Sequence, residues 1–199
     1  MPRTQLLIDF GEVISVAQPA AEVAAMAGAA GLPVAEFTAR YWAHRAGYDR
    51  GRSARAYWGD VLGAAPGRAL LRRLVELDVA SWLHLNPATL RMLEEVRAAG
   101  VPVSLLSNAP RELARELDRH EDLRPFARRL FSADLARIKP DPAVFAIALD
   151  ALGACPGDVV FVDDRGDNVA AAAALGLRAV TFTGTPESLA LVAGAATAA

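Results

Sequence analysis

Residues 6–15 read LLIDFGEVIS. Three apolar residues run directly into an aspartate, and a glycine follows two positions later. A short apolar run with no polar alternation reads as a strand buried on both faces. Asp9 is therefore predicted at the C-terminal end of such a strand, opening onto a loop. Comparable runs recur at 101–106, 159–162 and 179–182, and "LFSAD" at 130–134 reads as a further short strand. Helical patterns lie between them. Residues 88–99 place Leu90, Leu93 and Val96 on one side, and 111–119 pairs Leu113 with Leu117. Residues 142–152 carry Val144, Phe145, Ala148, Leu149 and Leu152, with Asp141-Pro142 as N-cap and first-turn proline. The alanine-rich 168–175 stops at Gly176. This alternation predicts an α/β fold with a doubly wound parallel sheet.

The alternation breaks between residues 16 and 85. Only helical patterns occur there: Val23/Met26/Ala30, Val34/Phe37/Tyr41, Trp58/Val61/Leu62 and Leu70/Leu74/Leu77. All three tryptophans fall in this stretch. The expected organisation is a core formed by 1–15 and 86–199, with an all-helical insertion at 16–85. The tail AGAATAA at 193–199 reads as frayed.

The composition is that of one globular domain carrying a modest insertion: 199 residues, 53% hydrophobic and 22% charged. A net charge of −2 gives no electrostatic reason to expect nucleic acid or an anionic membrane as partner. The single cysteine, Cys155, allows no internal disulfide and has no nearby group to activate it. No export signal or membrane-length run is read, so a cytoplasmic location is expected. Twenty of the 21 basic residues are arginine, leaving Lys139 as the sole lysine. An ammonium is a compact point charge that a planar guanidinium does not replace everywhere. Lys139 is thus marked for a place where the ammonium itself matters.

Open parallel sheets bind ligands beyond the C-terminal ends of their strands. The residues just past each predicted strand therefore make up the candidate site: Asp9, then Ser107-Asn108, then Lys139 in RIKPDP, then Asp163-Asp164. In isolation each has a plain structural reading as turn or cap. Two adjacent acids at a buried strand end, however, repel each other unless a cation intervenes. Asp167 and Asp141 are assigned to helix starts.

These four segments, LLIDFGEVIS, VSLLSNAP (103–110), RIKPDPAVF (137–145) and VVFVDDRGDNVAAAAALGL (159–177), together resemble the haloacid dehalogenase-like hydrolase superfamily. The branch is the one with a helical cap, near small sugar-phosphate phosphatases and the phosphatase domain of soluble epoxide hydrolases. The resemblance implies a Rossmann-like core and a Mg2+-dependent phosphatase acting on a small phosphorylated metabolite. It implies Asp9 as the nucleophile that forms an aspartyl-phosphate, and Mg2+ held by Asp9, the carbonyl of Gly11 and Asp164, with Asp163 in support. Ser107 and the Asn108 N–H would hold phosphoryl oxygens. Lys139 would neutralise the phosphate and orient Asp9, and Asn168 would brace the acidic loop.

The sequence departs from the pattern at Gly11, where most phosphatases of this superfamily carry a second aspartate as general acid and base. Losing such a group costs ~10²–10⁴-fold. Three accounts stay open: a substrate whose leaving group departs unprotonated, an acid supplied by Glu12 or by the cap (His44), or a nearly inactive phospholigand-binding relative. Phosphonate hydrolysis is excluded because the insertion has no lysine. Haloacid dehalogenation uses no metal, and the paired acids Asp163-Asp164 speak against it. In YWAHRAGYDRGRSARAYW (41–58), Trp42, Tyr48 and Trp58 are expected to hold the small bundle together, with one or two arginines left open to reach the ligand and the rest at the surface. Homodimerisation through the cap is left open.

Overall fold

The computed structural model describes residues 4–197. Five strands form one all-parallel sheet in the order β3-β2-β1-β4-β5: β1 (Gln5–Ile8), β2 (Val103–Ser107), β3 (Arg128–Phe131), β4 (Val159–Asp163) and β5 (Arg178–Thr181). β1 lies at the centre. Leu6 pairs with Val103 on one side and Val160 on the other, and Ile8 pairs with Leu105 and Val162. β1, β2 and β4 are almost wholly buried, which explains why they read as continuous apolar runs.

Helices cover both faces of the sheet. One face holds Leu6, Ile8, Val103, Leu105, Val160 and Val162 against α5 (Pro87–Ala98), α6 (Arg111–Arg119) and α10 (Pro186–Thr197). The other holds Leu7, Leu106 and Phe161 against α8 (Pro142–Leu152) and α9 (Gly166–Ala174), with the short α7 (Ser132–Leu135) beyond β3. Local chemistry sets several helix starts. Asn86 accepts from the N–H of Ala88 before α5, and Asp141 accepts from that of Ala143 before α8, each ahead of a first-turn proline.

Four helices separate β1 from α5: α1 (Ala20–Ala30), α2 (Val34–Asp49), α3 (Ala54–Leu62) and α4 (Arg68–Trp82). They enclose a cluster of their own, centred on Phe37, Tyr41, Tyr48, Tyr57, Trp58 and Leu74. The chain leaves β1 and returns to α5 side by side, since Ser15 and Leu85 form an isolated antiparallel bridge. Among the described residues, no single helix is long and apolar enough to cross a membrane.

Some expected elements are shifted. "LFSAD" contributes only Leu130 and Phe131 to β3, and Ser132 already begins α7. β3 starts at Arg128 because an edge strand tolerates arginines that break the apolar pattern. The tail is helical through Thr197, where Val192 and Ala196 bury against the sheet. Ala198 and Ala199 lie outside the described residues.

Candidate active site

β1, β2 and β4 end at the same edge of the sheet, and the loops beyond them surround a cavity of about 180 Å³. Asp9, Gly11, Ser107, Asn108, Lys139, Asp164 and Asn168 all line it. The topology does this because parallel central strands release their loops on one side.

Lys139 organises the floor. It is buried, with Nζ 2.7 Å from Asp9 Oδ1 and 2.6 Å from Asp163 Oδ2. Its position is locked from β2: Asn108 Nδ2 donates to the Lys139 carbonyl, and the Lys139 N–H donates to Asn108 Oδ1, both at 2.9 Å. Asn108 thus uses its side chain to place the lysine. Asp163 is fully buried and saturated, since its Oδ1 also accepts from the Arg165 N–H and from Asn168 Nδ2, each at 2.9 Å. Asn168 therefore braces the acidic loop, while its own Oδ1 is buried with no partner.

One ammonium faces three carboxylates. Carboxylate oxygens of Asp9, Asp163 and Asp164 lie within 4.8 Å of one another. Burial pushes Asp9 up to about 7, because the Lys139 charge that opposes this is shared with Asp163. Burial and the neighbouring Asp163 push Asp164 up to about 6. Burial works against the charge on Lys139 too, but Asp9 and Asp163 outweigh it and hold the lysine above its usual range. The surplus negative charge and all-oxygen donors suit a hard divalent cation.

The helices form the opposite wall with Trp42, Arg45, Asp49 and Trp82. Arg45 is buried at the cavity, an exception to the surface placement expected for most of these arginines. Its Nε donates to Asp49 Oδ1 at 2.8 Å and its Nη1 to Asp78 Oδ1 at 3.0 Å and to the Tyr41 hydroxyl. Burial opposes its charge, but Asp78, Tyr41 and Asp49 hold it well above its usual range. Trp42 is also not a core residue: it is 50% exposed at the cavity, whereas Tyr48 and Trp58 are buried as expected. His44 is not at the cavity; it faces Asp60 on the outer side of the helices. Glu12 is at the cavity, exposed, with a backbone φ of +56°.

Asp49 is a member of the wall that sequence patterns do not single out. The available signal is its i,i+4 spacing from Arg45 within an aromatic helix, a pair that is mutually satisfied when buried.

Residues 6–176 match the haloacid dehalogenase-like hydrolase family. The (S)-2-haloacid dehalogenase 1 of Pseudomonas sp. (strain CBS-3) is 32% identical over 105 residues, 52% of this chain and 46% of that protein. Phosphoglycolate phosphatase 1 of Pseudomonas aeruginosa is 28% identical over 127 residues, 62% of this chain and 47% of that protein. These matches span less than half the length of either relative. Among solved structures, the HAD family enzyme bt-2542 of Bacteroides thetaiotaomicron, in complex with magnesium and inorganic phosphate, superposes with a TM-score of 0.71 at 18% identity, covering 92% of this chain and 96% of that one. The relatives include both a dehalogenase and a phosphatase, so they do not choose between those reactions. With the fold, the strand-end site and 171 consecutive residues in agreement, the chain belongs to the haloacid dehalogenase-like hydrolase family.

Proposed function

We propose that this hydrolase is a Mg2+-dependent phosphatase acting on a small phosphorylated metabolite. The observation that carries the reading is the cluster of Asp9, Asp163 and Asp164 around a single ammonium, whose formal surplus of two negative charges matches one divalent cation. Asp9, the carbonyl of Gly11 and Asp164 would hold Mg2+, with Asp163 fixing the loop. Bound there, the cation supplies charge neutralisation for the phosphoryl group and for Asp9.

The protein's own residues do the rest. Asp9 attacks phosphorus and becomes an aspartyl-phosphate, which water then hydrolyses. Ser107 and the Asn108 N–H hold phosphoryl oxygens, and Lys139 orients Asp9 and offsets charge in the transition state. The size of the cavity favours a phosphoryl group carrying a small organic remainder. The core at 1–15 and 86–199 carries this chemistry, and the helical unit at 16–85 closes over the substrate.

Turnover of p-nitrophenyl phosphate tests the reading, since its stabilised leaving group needs no proton. Hydrolysis is expected with Mg2+, none in EDTA, and none in Asp9→Asn. No turnover by the wild-type protein would replace this reading with that of a phospholigand-binding relative. A second reading, haloacid dehalogenation, is favoured by the match to the Pseudomonas dehalogenase. Chloride release from 2-chloropropionate in EDTA would establish it.

A further inference from the structure

We propose that Asp49, at the C-terminal end of α2, is the acid–base group that protonates the leaving oxygen and then activates the hydrolytic water, replacing the carboxyl group that position 11 lacks. The inference rests on the phosphatase reading.

Displacement at phosphorus is in line, so the leaving group departs on the side opposite the attacking carboxylate. Asp9 attacks from the sheet edge. The facing wall comes from α2 and α4, and of its lining residues Trp42, Arg45, Asp49 and Trp82, only Asp49 carries a carboxyl. The same wall faces the water of the second step, which also attacks opposite Asp9.

The Trp82 indole lies beside Gly11: a Cβ added there would meet the ring at 3.5 Å, ordinary van der Waals contact. The guanidinium carbon of Arg45 lies 5.8 Å from the centre of that ring, and Arg45 Nε donates to Asp49 at 2.8 Å. Gly11, Trp82, Arg45 and Asp49 thus form a contiguous row that leads from the position without an acid to a carboxyl on α2. Asp49 is fixed to the core as well, because its carbonyl accepts from Ser132 Oγ at 2.6 Å.

The surroundings suit proton transfer near neutral pH. Burial raises the Asp49 carboxyl to about 6; Arg45 on its own helix opposes the rise and Asp78 on α4 adds to it. Lys139 and Asp9 line the same cavity. Glu12, by contrast, belongs to the loop after β1, on the side of the metal cluster, where its charge acts on Asp164.

The steps balance. Asp9 Oδ bonds to phosphorus as the ester P–O bond breaks, and the electron pair on the departing oxygen takes the Asp49 proton. Water then bonds to phosphorus and the P–O bond to Asp9 breaks. The proton released by the water returns to Asp49.

Two probes with Mg2+ separate Asp49 from the parent reading: p-nitrophenyl phosphate and propyl phosphate. In Asp49→Asn, propyl phosphate hydrolysis is expected to fall about 100-fold or more. With p-nitrophenyl phosphate, the variant should release a stoichiometric burst of nitrophenol and accumulate aspartyl-phosphate, detectable by mass spectrometry. The burst also counts folded sites. Asparagine keeps the oxygen that accepts from Arg45, and Asp49→Glu, which keeps a carboxyl, is run beside it. Propyl phosphate hydrolysis by the glutamate variant above that of Asp49→Asn supports the assignment.

Wild-type protein without p-nitrophenyl phosphate turnover sinks the phosphatase reading and this inference with it. An active wild type overturns the Asp49 assignment alone under any of four results. Asp49→Asn matches it on both esters; wild type fails on propyl phosphate; Glu12→Gln shows the split instead; or Asp78→Asn, which unbalances Arg45 away from the cavity, shows the same split as Asp49→Asn.

Discussion

Asp9→Asn should do two things at once: abolish turnover and, in EDTA at pH 8, make the protein more stable. The Asp9 carboxyl rises from 3.8 to about 7 in the folded, metal-free protein because it is buried and shares its ammonium with Asp163. Between those two pH values the folded state keeps a proton that the unfolded chain releases. Stability therefore falls as pH rises through this window and levels off above about 7. The full rise corresponds to roughly 4 kcal/mol at pH 8. Water entry and relaxation around the charge reduce that, so about 2–4 kcal/mol is expected. For a chain of this length, 1 kcal/mol moves the melting temperature by about 2–4 °C. The asparagine variant should melt ~5–15 °C above wild type at pH 8.

At pH 5 the advantage should shrink to about 1.5 kcal/mol, since Asp9 then holds its proton in the folded state and has largely lost it in the unfolded one. Adding Mg2+ at pH 8 should raise the wild-type melting temperature and leave the variant nearly unmoved. Thermal unfolding by circular dichroism, in EDTA and in Mg2+ at both pH values, reads all four combinations. A variant that melts below wild type at pH 8 in EDTA, or a gap equal at both pH values, would show that Asp9 carries no uncompensated charge.

Lys139→Arg should lower kcat for p-nitrophenyl phosphate by about 100-fold or more, because a planar fork does not fit between two carboxylates in a fully enclosed site. Gly51→Ala should lower the urea midpoint by an equivalent of about 2 kcal/mol or more. Gly51 has φ +97°, and an added Cβ would sit 2.8 Å from the Ala133 carbonyl where the α2–α3 loop meets α7. Ala136→Gly should act in the opposite direction. Ala136 closes α7 at φ +52° and is exposed, so relief of the left-handed strain, offset by glycine's chain entropy, leaves about 0.5–1 kcal/mol and a small rise in melting temperature.

The strand-end residues were legible because each follows an apolar run confined to the sheet centre, and order along the chain then fixes which loops meet. Asp9, Ser107, Asn108, Asp163 and Asp164 are gathered on that account, whereas Lys139, beyond the edge strand β3 and α7, stood out as the lone lysine, and Asn168, inside α9, only through the family resemblance. The helical wall was not legible for the converse reason. Arg45 is buried because Asp78, 33 residues further on, meets it across α2 and α4, and no local pattern announces such a pairing. Trp42 misled in the other direction, since an aromatic residue at helical spacing reads as core, yet this one is half exposed at the cavity. β3 was partly missed because edge position, a property of the whole sheet, lets Arg128 and Arg129 stand in a strand.

On the proposed phosphatase reading, the two walls together would set an order of binding. Asp9, Asp163 and Asp164 against Lys139 leave a formal charge of −2 on the sheet side, and Asp49 and Asp78 against Arg45 leave −1 on the helical side. Arg165 adds little at the rim, because it is paired with Asp167 at 2.7 Å. A phosphate dianion entering between these walls meets like charges, each worth about 4 kcal/mol at 4 Å in a medium of effective dielectric constant ~20. On that reading a cation should be present before the anion is bound well. Calorimetric titration with inorganic phosphate at pH 8 should show binding at least 100-fold tighter in Mg2+ than in EDTA. In EDTA, binding should improve on acidification to pH 6, as Asp9 and then Asp49 and Asp164, at about 7 and about 6, take up protons. Phosphate affinity that ignores both Mg2+ and pH would mean that the anion is held away from these carboxylates, and the site would have to be sought elsewhere.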